Sequence, residues 1–251
     1  MLNFYKIKNK IIIKQNQNKK KQKKQYKLNI QMGVRQQVYL YIPNIIDYGR
    51  VITLLMVCYY CDTMPIFTIF LYAISQGLDA IDGLAARKFD QCNEFGKVLD
   101  MVCDRASDAV FLSILSGLFP SLRFFFLVAL IIDLVSHWYQ TYSTQYCQEE
   151  HHKTAKSEWR IMQIYYGSKP VLFWMVFGYE AFLLNMYLKA FEHSIELPDY
   201  FKNINTMCLF ITTPIFLLKN YISIIQLISS SSKIIDAEDS YKKQQKKIQA
   251  K

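Results

Sequence analysis

Four aspartates lie at the polar ends of two neighbouring apolar stretches that are long enough to be membrane helices: Asp79, Asp82, Asp100 and Asp104. A carboxylate near the centre of a bilayer costs about 3 kcal/mol or more, so an acid in a membrane segment usually has a function and a cationic partner. This feature excludes an ordinary soluble domain and predicts a polar site built into membrane helices.

Six apolar stretches predict the fold. Each is long enough, or nearly so, to cross a hydrocarbon core of about 30 Å as a helix. They cover residues 45–60, 66–87, 95–119, 122–142, 170–188 and 206–228. The sequence therefore predicts an all-α integral membrane protein with six transmembrane helices, whose two ends lie on the same side of the membrane.

The positive charge is concentrated at the beginning of the chain. Ten lysines and Arg35 precede the first acid, Asp47, and the whole chain carries a net charge of +10. Such a lysine-rich segment predicts a disordered tail over residues 1–38, either a solvated leader or a segment attracted to anionic lipids. A second basic tail follows the membrane domain of residues 39–228 and covers residues 229–251. Basic flanks favour the cytosolic side for both ends, and nothing predicts a nucleic-acid partner.

The spacing of the acids predicts a metal site. Asp82, Gly83, Ala86 and Arg87 follow Asp79 by three, four, seven and eight residues, and all these spacings bring side chains to one face of a helix. On the next helix, three residues follow one another at spacings of four: Gly96, Asp100 and Asp104. Carboxylate oxygens are the ligands that Mg²⁺ and Mn²⁺ prefer, and two such ions about 4 Å apart can hold a phosphoryl group for displacement.

The small residues and the arginine of this pattern predict a nucleotide beside the metals. Gly83 and Ala86 leave room for a ligand against the helix backbone, and Arg87 supplies a cation for a phosphate. The alternative is a purely structural charge cluster. Arg87 and Arg105 could neutralise two acids but not four, and a buried uncompensated charge is costly.

The whole pattern resembles a known family. D-x-x-D-G-x-x-A-R, eight residues, and G-x-x-x-D-x-x-x-D is the signature of the CDP-alcohol phosphatidyltransferases, and residues 79–104 match it without a gap. Four further segments resemble sequences of the eukaryotic branch of this family that uses inositol as the acceptor. They are YIPNIIDYGR at 41–50, DLVSHW at 133–138, RIMQIYYGSKP at 160–170 and TTPIFLLKNYISIIQL at 212–227.

The resemblance implies a role for individual residues. The metals, Mg²⁺ or Mn²⁺ and two per site, would be held by Asp79, Asp82, Asp100 and Asp104, and Asp104 would also take the proton of the attacking inositol hydroxyl. Gly83 and Arg87 would bind CDP-diacylglycerol. Asn93 stands where the family has a Ser or Thr that contacts the nucleotide. Asn44 and Arg50 fit a family feature near the nucleotide and diphosphate, the alternative being a capping asparagine and an interfacial arginine.

Polar residues elsewhere suggest an acceptor pocket. Asp133 and His137 share a helix face at a spacing of four, Lys169 opens the fifth stretch, and Arg105 follows the last acid. These residues either bind a polyol or satisfy one another between helices. A phosphorylated acceptor would require a larger basic cluster.

The resemblance thus implies transfer of a phosphatidyl group from CDP-diacylglycerol to myo-inositol with release of CMP, by a homodimer in the endoplasmic reticulum membrane with its site facing the cytosol. Two enzymatic alternatives are glycerol 3-phosphate as the acceptor and a reaction of CDP-choline or CDP-ethanolamine with diacylglycerol. A cation channel or transporter is the non-enzymatic alternative, but it requires acids along a pore.

Overall fold

The computed structural model describes Gly33, residues 37–148 and residues 160–249. Most of the basic segment 1–38 and part of the polar loop before residue 160 lie outside these ranges. The described residues are helical with short connections and include no strand. The prediction of an all-α protein is therefore confirmed.

The helices follow the predicted apolar stretches closely. Their bounds are α1 Ile42–Tyr60, α2 Pro65–Lys88, α3 Glu94–Leu118, α4 Arg123–Gln148, α5 Arg160–Gly167, α6 Lys169–Phe191 and α7 Asp199–Gln249. Local chemistry sets several of these ends. Pro65 opens α2, where a missing backbone N–H costs nothing. Asp90, with a φ of 53°, lies just beyond the end of α2 in the left-handed region that interrupts helices.

Four helices of the described part are long and apolar enough to cross a membrane: α1, α4, α6 and most of α7. The other two predicted spans, α2 and α3, are 24 and 25 residues long. Their acidic motif lowers their hydropathy, so crossing by these two helices stays a prediction. The structure also adds helix α5, which the sequence pattern left inside a polar loop.

The last helix continues past its predicted span. Helix α7 has 51 residues, or about 75 Å of axis, which is more than twice the hydrocarbon core of a bilayer. The predicted span ends at residue 228, and the helix continues through the segment 229–249. Its final turns must therefore leave the hydrocarbon.

Large apolar side chains are exposed along the helices, as expected of surfaces that face lipid. Leu55, Phe70 and Trp174 are each more than half exposed, and Phe210 on α7 is 84% exposed. Apolar exposure on this scale is rare in monomeric soluble proteins. Together with the four apolar helices, it indicates a multi-pass membrane protein.

The chain forms two compact units, and α1, α2 and α3 each contribute to both. Among the described residues, the first unit contains Gly33, residues 37–53 and residues 74–103, and the second contains residues 54–73, 104–148 and 160–249. In the first unit the backbone N–H of Ile42 donates to Gln91 Oε1 at 2.9 Å. Tyr39 and Phe95 meet edge to face with ring centroids 5.0 Å apart. These contacts join the chain around the start of α1 to the connection between α2 and α3 and to the first turn of α3.

The second unit contains the main apolar core. Val57, Phe111, Leu115 and Leu183 are completely buried there, and Tyr187 donates to the backbone carbonyl of Cys61 at 2.5 Å. Because membrane helices associate mainly through close packing of their side chains, this core holds the helices of the second unit together.

Candidate active site

The acids of the first unit converge as their spacing predicts. Asp82 on α2 and Asp100 on α3 lie with Asp47 of α1 so that one carboxylate oxygen from each falls within 4.8 Å of the others. Asp47 and Asp82 are buried, and the Asp100 side chain is 44% exposed. Three oxygen donors at this spacing suit a hard divalent cation.

A single arginine lies among these acids. The Arg50 guanidinium is 2.6 Å from Asp79, 3.0 Å from Asp100, 3.2 Å from Asp82 and 3.3 Å from Asp47. Its side chain is only 1% exposed, so Arg50 is not an interfacial arginine that reaches out to water. Its single positive charge compensates part of the negative charge of these four carboxylates.

A cleft of about 230 Å³ opens beside these acids in the first unit. Its wall includes Gly83 and Ala86 from α2 and Gly96 from α3, where small side chains leave the backbone accessible. Arg87 also lines the cleft, with its guanidinium 3.4 Å from the position that a Cβ on Gly83 would occupy. The structure thus brings together the residues predicted to bind the nucleotide.

Asn93 lines the same cleft but is engaged with the backbone. Its Oδ1 accepts from the N–H of Gly96 at 2.8 Å, and its Nδ2 donates to the carbonyl of Gln91 at 2.8 Å. Because Asn93 directly precedes Glu94, the first residue of α3, this is an N-cap bond. Asn93 therefore shapes the start of α3, and its contact with a nucleotide stays a prediction.

Gly96 is tightly enclosed by this arrangement. A Cβ at this position would lie 2.7 Å from Asn44 Oδ1 and 3.3 Å from Asn93 Nδ2. Asn44 is completely buried, and its Nδ2 donates to the carbonyl of Val38 at 2.6 Å. Asn44 lies in the first turn of α1 and points its Oδ1 toward Gly96 in the cleft wall.

Asp104 belongs to the second unit and follows Asp100 by one turn of α3. Its side chain is 34% exposed, and its Oδ2 is 3.9 Å from Arg105 Nη2. Arg105 in turn binds Asp133, with its Nη1 at 2.7 and 2.6 Å from the two carboxylate oxygens. The structure therefore places a guanidinium between Asp104 and a second, buried group of polar residues.

Two of the residues predicted for an acceptor pocket meet Arg105. Asp133 binds it directly, and His137 lies one turn further along α4 with its Nδ1 at 2.8 Å from the Asp133 carbonyl. Lys169 is the first residue of α6. Next to this group, on α5, burial raises the pKa of the Tyr165 and Tyr166 hydroxyls, so both stay neutral hydrogen-bonding groups at physiological pH.

Three residues of these groups were missed by the motif analysis: Asp47, Asp108 and Lys219. All are charged residues within apolar stretches, which was the signal available. Asp47 lies three residues from Arg50, and Asp108 follows Asp104 by four. Lys219 stands alone in the last span, so only tertiary structure supplies its partners, Asp108 at 3.5 Å and Asp133 at 3.7 Å.

Comparison with known proteins identifies the family of the chain. The family model for the CDP-alcohol phosphatidyltransferase matches residues 40–235, which include both aspartate pairs and the cleft. The chain belongs to this family. No solved structure matches it.

Several relatives within the family carry the same descriptive name, CDP-diacylglycerol–inositol 3-phosphatidyltransferase. The human protein of that name is 34% identical over 209 residues, which are 82% of this chain and 97% of the human one. The Candida albicans protein is 35% identical over 211 residues, covering 83% and 88% of the two chains. An Arabidopsis thaliana protein, named as a probable enzyme of this kind, is 36% identical over 217 residues, covering 82% and 95%.

The donor set of this family member fits the divalent metal that the family uses. The clustered acids of the first unit supply carboxylate oxygens alone, without thiol or imidazole ligands among them. Such a set selects Mg²⁺ or Mn²⁺ over softer metals. The acids lie beside a cleft with small walls and an arginine, which suits a phosphate-bearing ligand.

Proposed function

We propose that the protein is a phosphatidylinositol synthase, which transfers the phosphatidyl group of CDP-diacylglycerol to myo-inositol and releases CMP. The observation that carries the proposal is similarity over more than four fifths of the chain to relatives named for this reaction. The convergence of motif acids beside a small-walled cleft supports the same conclusion.

The acids bind the metal ions and the cleft residues bind the nucleotide. Asp79, Asp82, Asp100 and Asp104 would hold the two metal ions, which would supply positive charge to the diphosphate and to the departing CMP. Gly83 and Ala86 admit the nucleotide against α2, and Arg87 holds a phosphate. Asn93 keeps the start of α3 in place beside it.

Asp104 takes the proton of the attacking hydroxyl. It is the motif acid nearest to Arg105, and its partial exposure gives it access to an incoming alcohol. Arg105 Nη2 lies 3.9 Å from Asp104 Oδ2, so the guanidinium can hold this carboxylate in position for the incoming hydroxyl. A base in contact with the hydroxyl contributes by removing its proton as the new bond to phosphorus forms.

The arrangement in the membrane follows from the same helices. All six long helices cross the bilayer, with α2 and α3 bringing their acidic ends to the cytosolic face, and both chain ends are cytosolic. The basic residues of the C-terminal segment, among them Lys242 and Lys243, support this orientation. The enzyme is a homodimer of the endoplasmic reticulum, where its lipid substrate is used.

The test is incorporation of labelled inositol into lipid by the purified protein, supplied with CDP-diacylglycerol and Mg²⁺ or Mn²⁺. Labelled phosphatidylinositol and an equal amount of CMP are expected. Removal of divalent metal by a chelator should abolish the product, and added metal should restore it. Transfer to glycerol 3-phosphate instead of inositol would overturn the proposed acceptor.

A variant pair tests the base. Asp104→Asn should lower turnover by at least 1,000-fold, in the range that loss of base and ligand together produces, while binding of CDP-diacylglycerol largely survives. Asp62→Asn is the matched control, since Asp62 is exposed in the turn between α1 and α2 and should leave turnover unchanged. Normal turnover in Asp104→Asn would exclude this residue as the base.

A further inference from the structure

Asp47 is an acid of the first unit that the acidic motif does not contain. It lies on α1 and lines the cleft, but its side chain is only 2% exposed. Its Oδ1 is 3.3 Å from Nη1 of Arg50, which follows three residues later on the same helix. Residues at this spacing are neighbours on a helix surface. This ion pair therefore depends on α1 alone and not on how α2 and α3 pack.

The same guanidinium also reaches three acids of the motif. Its Nη2 is 2.6 Å from Asp79, and its Nη1 is 3.2 Å from Asp82 and 3.0 Å from Asp100. The side chains of Asp79 and Asp100 are 35% and 44% exposed, whereas that of Arg50 is 1% exposed. Asp79 and Asp100 thus have an open side, from which a metal ion can approach, and Arg50 lies on the closed side.

Arg50 and a metal ion compete for the same carboxylates. Four ionised carboxylates around one guanidinium leave an excess of three negative charges. Such an excess is costly away from water and favours the binding of divalent cations. However, Nη1 already contacts one oxygen each of Asp47, Asp82 and Asp100. Two cations that share these oxygens repel each other, so the guanidinium lowers the affinity of the motif acids for metal.

Asp47 is near enough to the motif acids to be a metal ligand itself, because one of its oxygens lies within 4.8 Å of those of Asp82 and Asp100. In that case metal ions would take all four carboxylates that the guanidinium approaches. A buried arginine that loses its carboxylate partners is strongly destabilising. If Asp47 instead stays with Arg50, α1 contributes a neutral pair, and the motif acids keep their full charge for the metal.

We propose that Asp47 is a positioning residue of the metal centre, which retains the guanidinium of Arg50 on α1 while divalent ions bind Asp79, Asp82 and Asp100. The inference rests on the proposed binding of metal by the motif acids. Asp47 acts through Arg50 and is not a ligand. Its negative charge offsets the repulsion between Arg50 and the ions, so the two residues shift the metal affinity in opposite directions.

The experiment is a Mn²⁺ titration of the full-length, metal-free protein in detergent, in which electron paramagnetic resonance measures the free ion. Arg50→Gln removes the competing cation and should lower the Kd for Mn²⁺ about tenfold or more. Asp47→Asn leaves the charge of Arg50 without its partner on α1 and should raise the Kd about tenfold or more. This measurement requires neither lipid substrate nor turnover.

The double variant Asp47→Asn/Arg50→Gln separates a positioning residue from a ligand. Because two opposite charges leave together, its Kd should return to within about threefold of the wild-type value. If Asp47 were a ligand, the double variant would lack a donor and would bind Mn²⁺ as weakly as Asp47→Asn. The double variant leaves no unpaired charge on α1, so the comparison holds even if Arg50→Gln alone does not fold.

A second ion pair of the same spacing is the matched control. On α7 in the second unit, Lys202 Nζ lies 3.3 Å from Oδ1 of Asp199, three residues earlier. Asp199→Asn and Lys202→Gln should leave the Kd for Mn²⁺ unchanged. A Kd shift as large as that of Asp47→Asn would mean that any charge on the protein has this effect, and would overturn the inference.

The remaining results have distinct meanings. If wild type binds no Mn²⁺, the metal assignment fails and the role of Asp47 fails with it. If wild type binds Mn²⁺ but forms no phosphatidylinositol, the proposed function fails, and the Kd values still decide the role of Asp47. If the double variant binds as weakly as Asp47→Asn, or if neither single variant shifts the Kd, only the role of Asp47 is overturned.

Discussion

At the scale of single residues, Arg50 is the clearest case of a side chain whose role depends on its neighbours. Its guanidinium approaches four aspartates at 2.6 to 3.3 Å and is almost completely buried. Removing one partner of a buried ionic group leaves uncompensated charge, which typically costs 3–5 kcal/mol. Arg50 therefore contributes to the folding of the first unit as well as to any contact with ligand.

The corresponding prediction concerns stability. Arg50→Gln should lower the free energy of unfolding by about 3 kcal/mol or more, seen as a lower unfolding midpoint in detergent. Added Mg²⁺ should recover more of this midpoint in the variant than in wild type, because the carboxylates regain a cation. Lys97→Gln is the control, since Lys97 and Glu94 form an ion pair whose side chains are 66% and 87% exposed. It should change stability by less than about 1 kcal/mol. Equal midpoints for the two variants would contradict this role of Arg50.

At the scale of elements, helices α6 and α7 are held close by one glycine. A Cβ on Gly178 would lie 2.7 Å from Cδ1 and 2.9 Å from Cγ2 of Ile215. Around this point Tyr179 and Phe182 of α6 stack on Phe216 of α7, with ring centroids 5.4 and 4.2 Å apart. Small residues allow such close packing of membrane helices. This interface also supports Lys219, which lies one turn after Ile215.

A methyl group added at this interface should separate the two helices. Gly178→Ala is expected to destabilise the protein by about 1–3 kcal/mol, the usual cost of overpacking. Gly117→Ala adds the same methyl group near the end of α3, where nothing lies within 4 Å, and should change stability by less than about 0.5 kcal/mol. Thermal unfolding of the two variants side by side gives the comparison. An unshifted midpoint for Gly178→Ala would mean that Ile215 moves aside freely.

At the scale of the whole molecule, the acidic motif bears on the path of the chain through the membrane, because the two helices that carry it, α2 and α3, are the less apolar ones. Helices α1, α4, α6 and α7 are apolar enough to cross on their own. If α2 and α3 cross as well, the connection between them lies on the side opposite to the turn that joins α1 and α2. If they do not cross, both connections lie on the same side.

Labelling of Cys92 distinguishes these two paths. Cys92 is exposed in the connection between α2 and α3, so a variant that retains it as the only cysteine should react with a membrane-impermeant maleimide added to the cytosolic side of sealed microsomes. A variant carrying Asp62→Cys as its only cysteine is the matched control and should react only after permeabilisation. If Cys92 also requires permeabilisation, α2 and α3 do not cross as proposed.

The fold was largely predictable, and the reasons are local. Apolar runs long enough for a bilayer predicted the positions of α1, α2, α3, α4 and α6, because each such run must satisfy its backbone within a helix. Two features departed from the prediction. Helix α5 is short and amphipathic, and α7 continues into a polar segment. Neither α5 nor the part of α7 after residue 228 has the long apolar run on which the prediction depended.

The sequence alone predicted which residues would carry the chemistry, because the cost of an acid in a membrane helix and the three-four spacing of Asp79, Asp82, Gly83 and Arg87 are properties of the chain itself. Tertiary structure alone decided which charges compensate one another. Arg50 could meet Asp79 and Asp100, and Lys219 could meet Asp108 and Asp133, only after helices distant in sequence had packed. Electrostatic energy depends on the distance between charges and on their burial, and neither quantity can be read from the spacing of residues along a single helix.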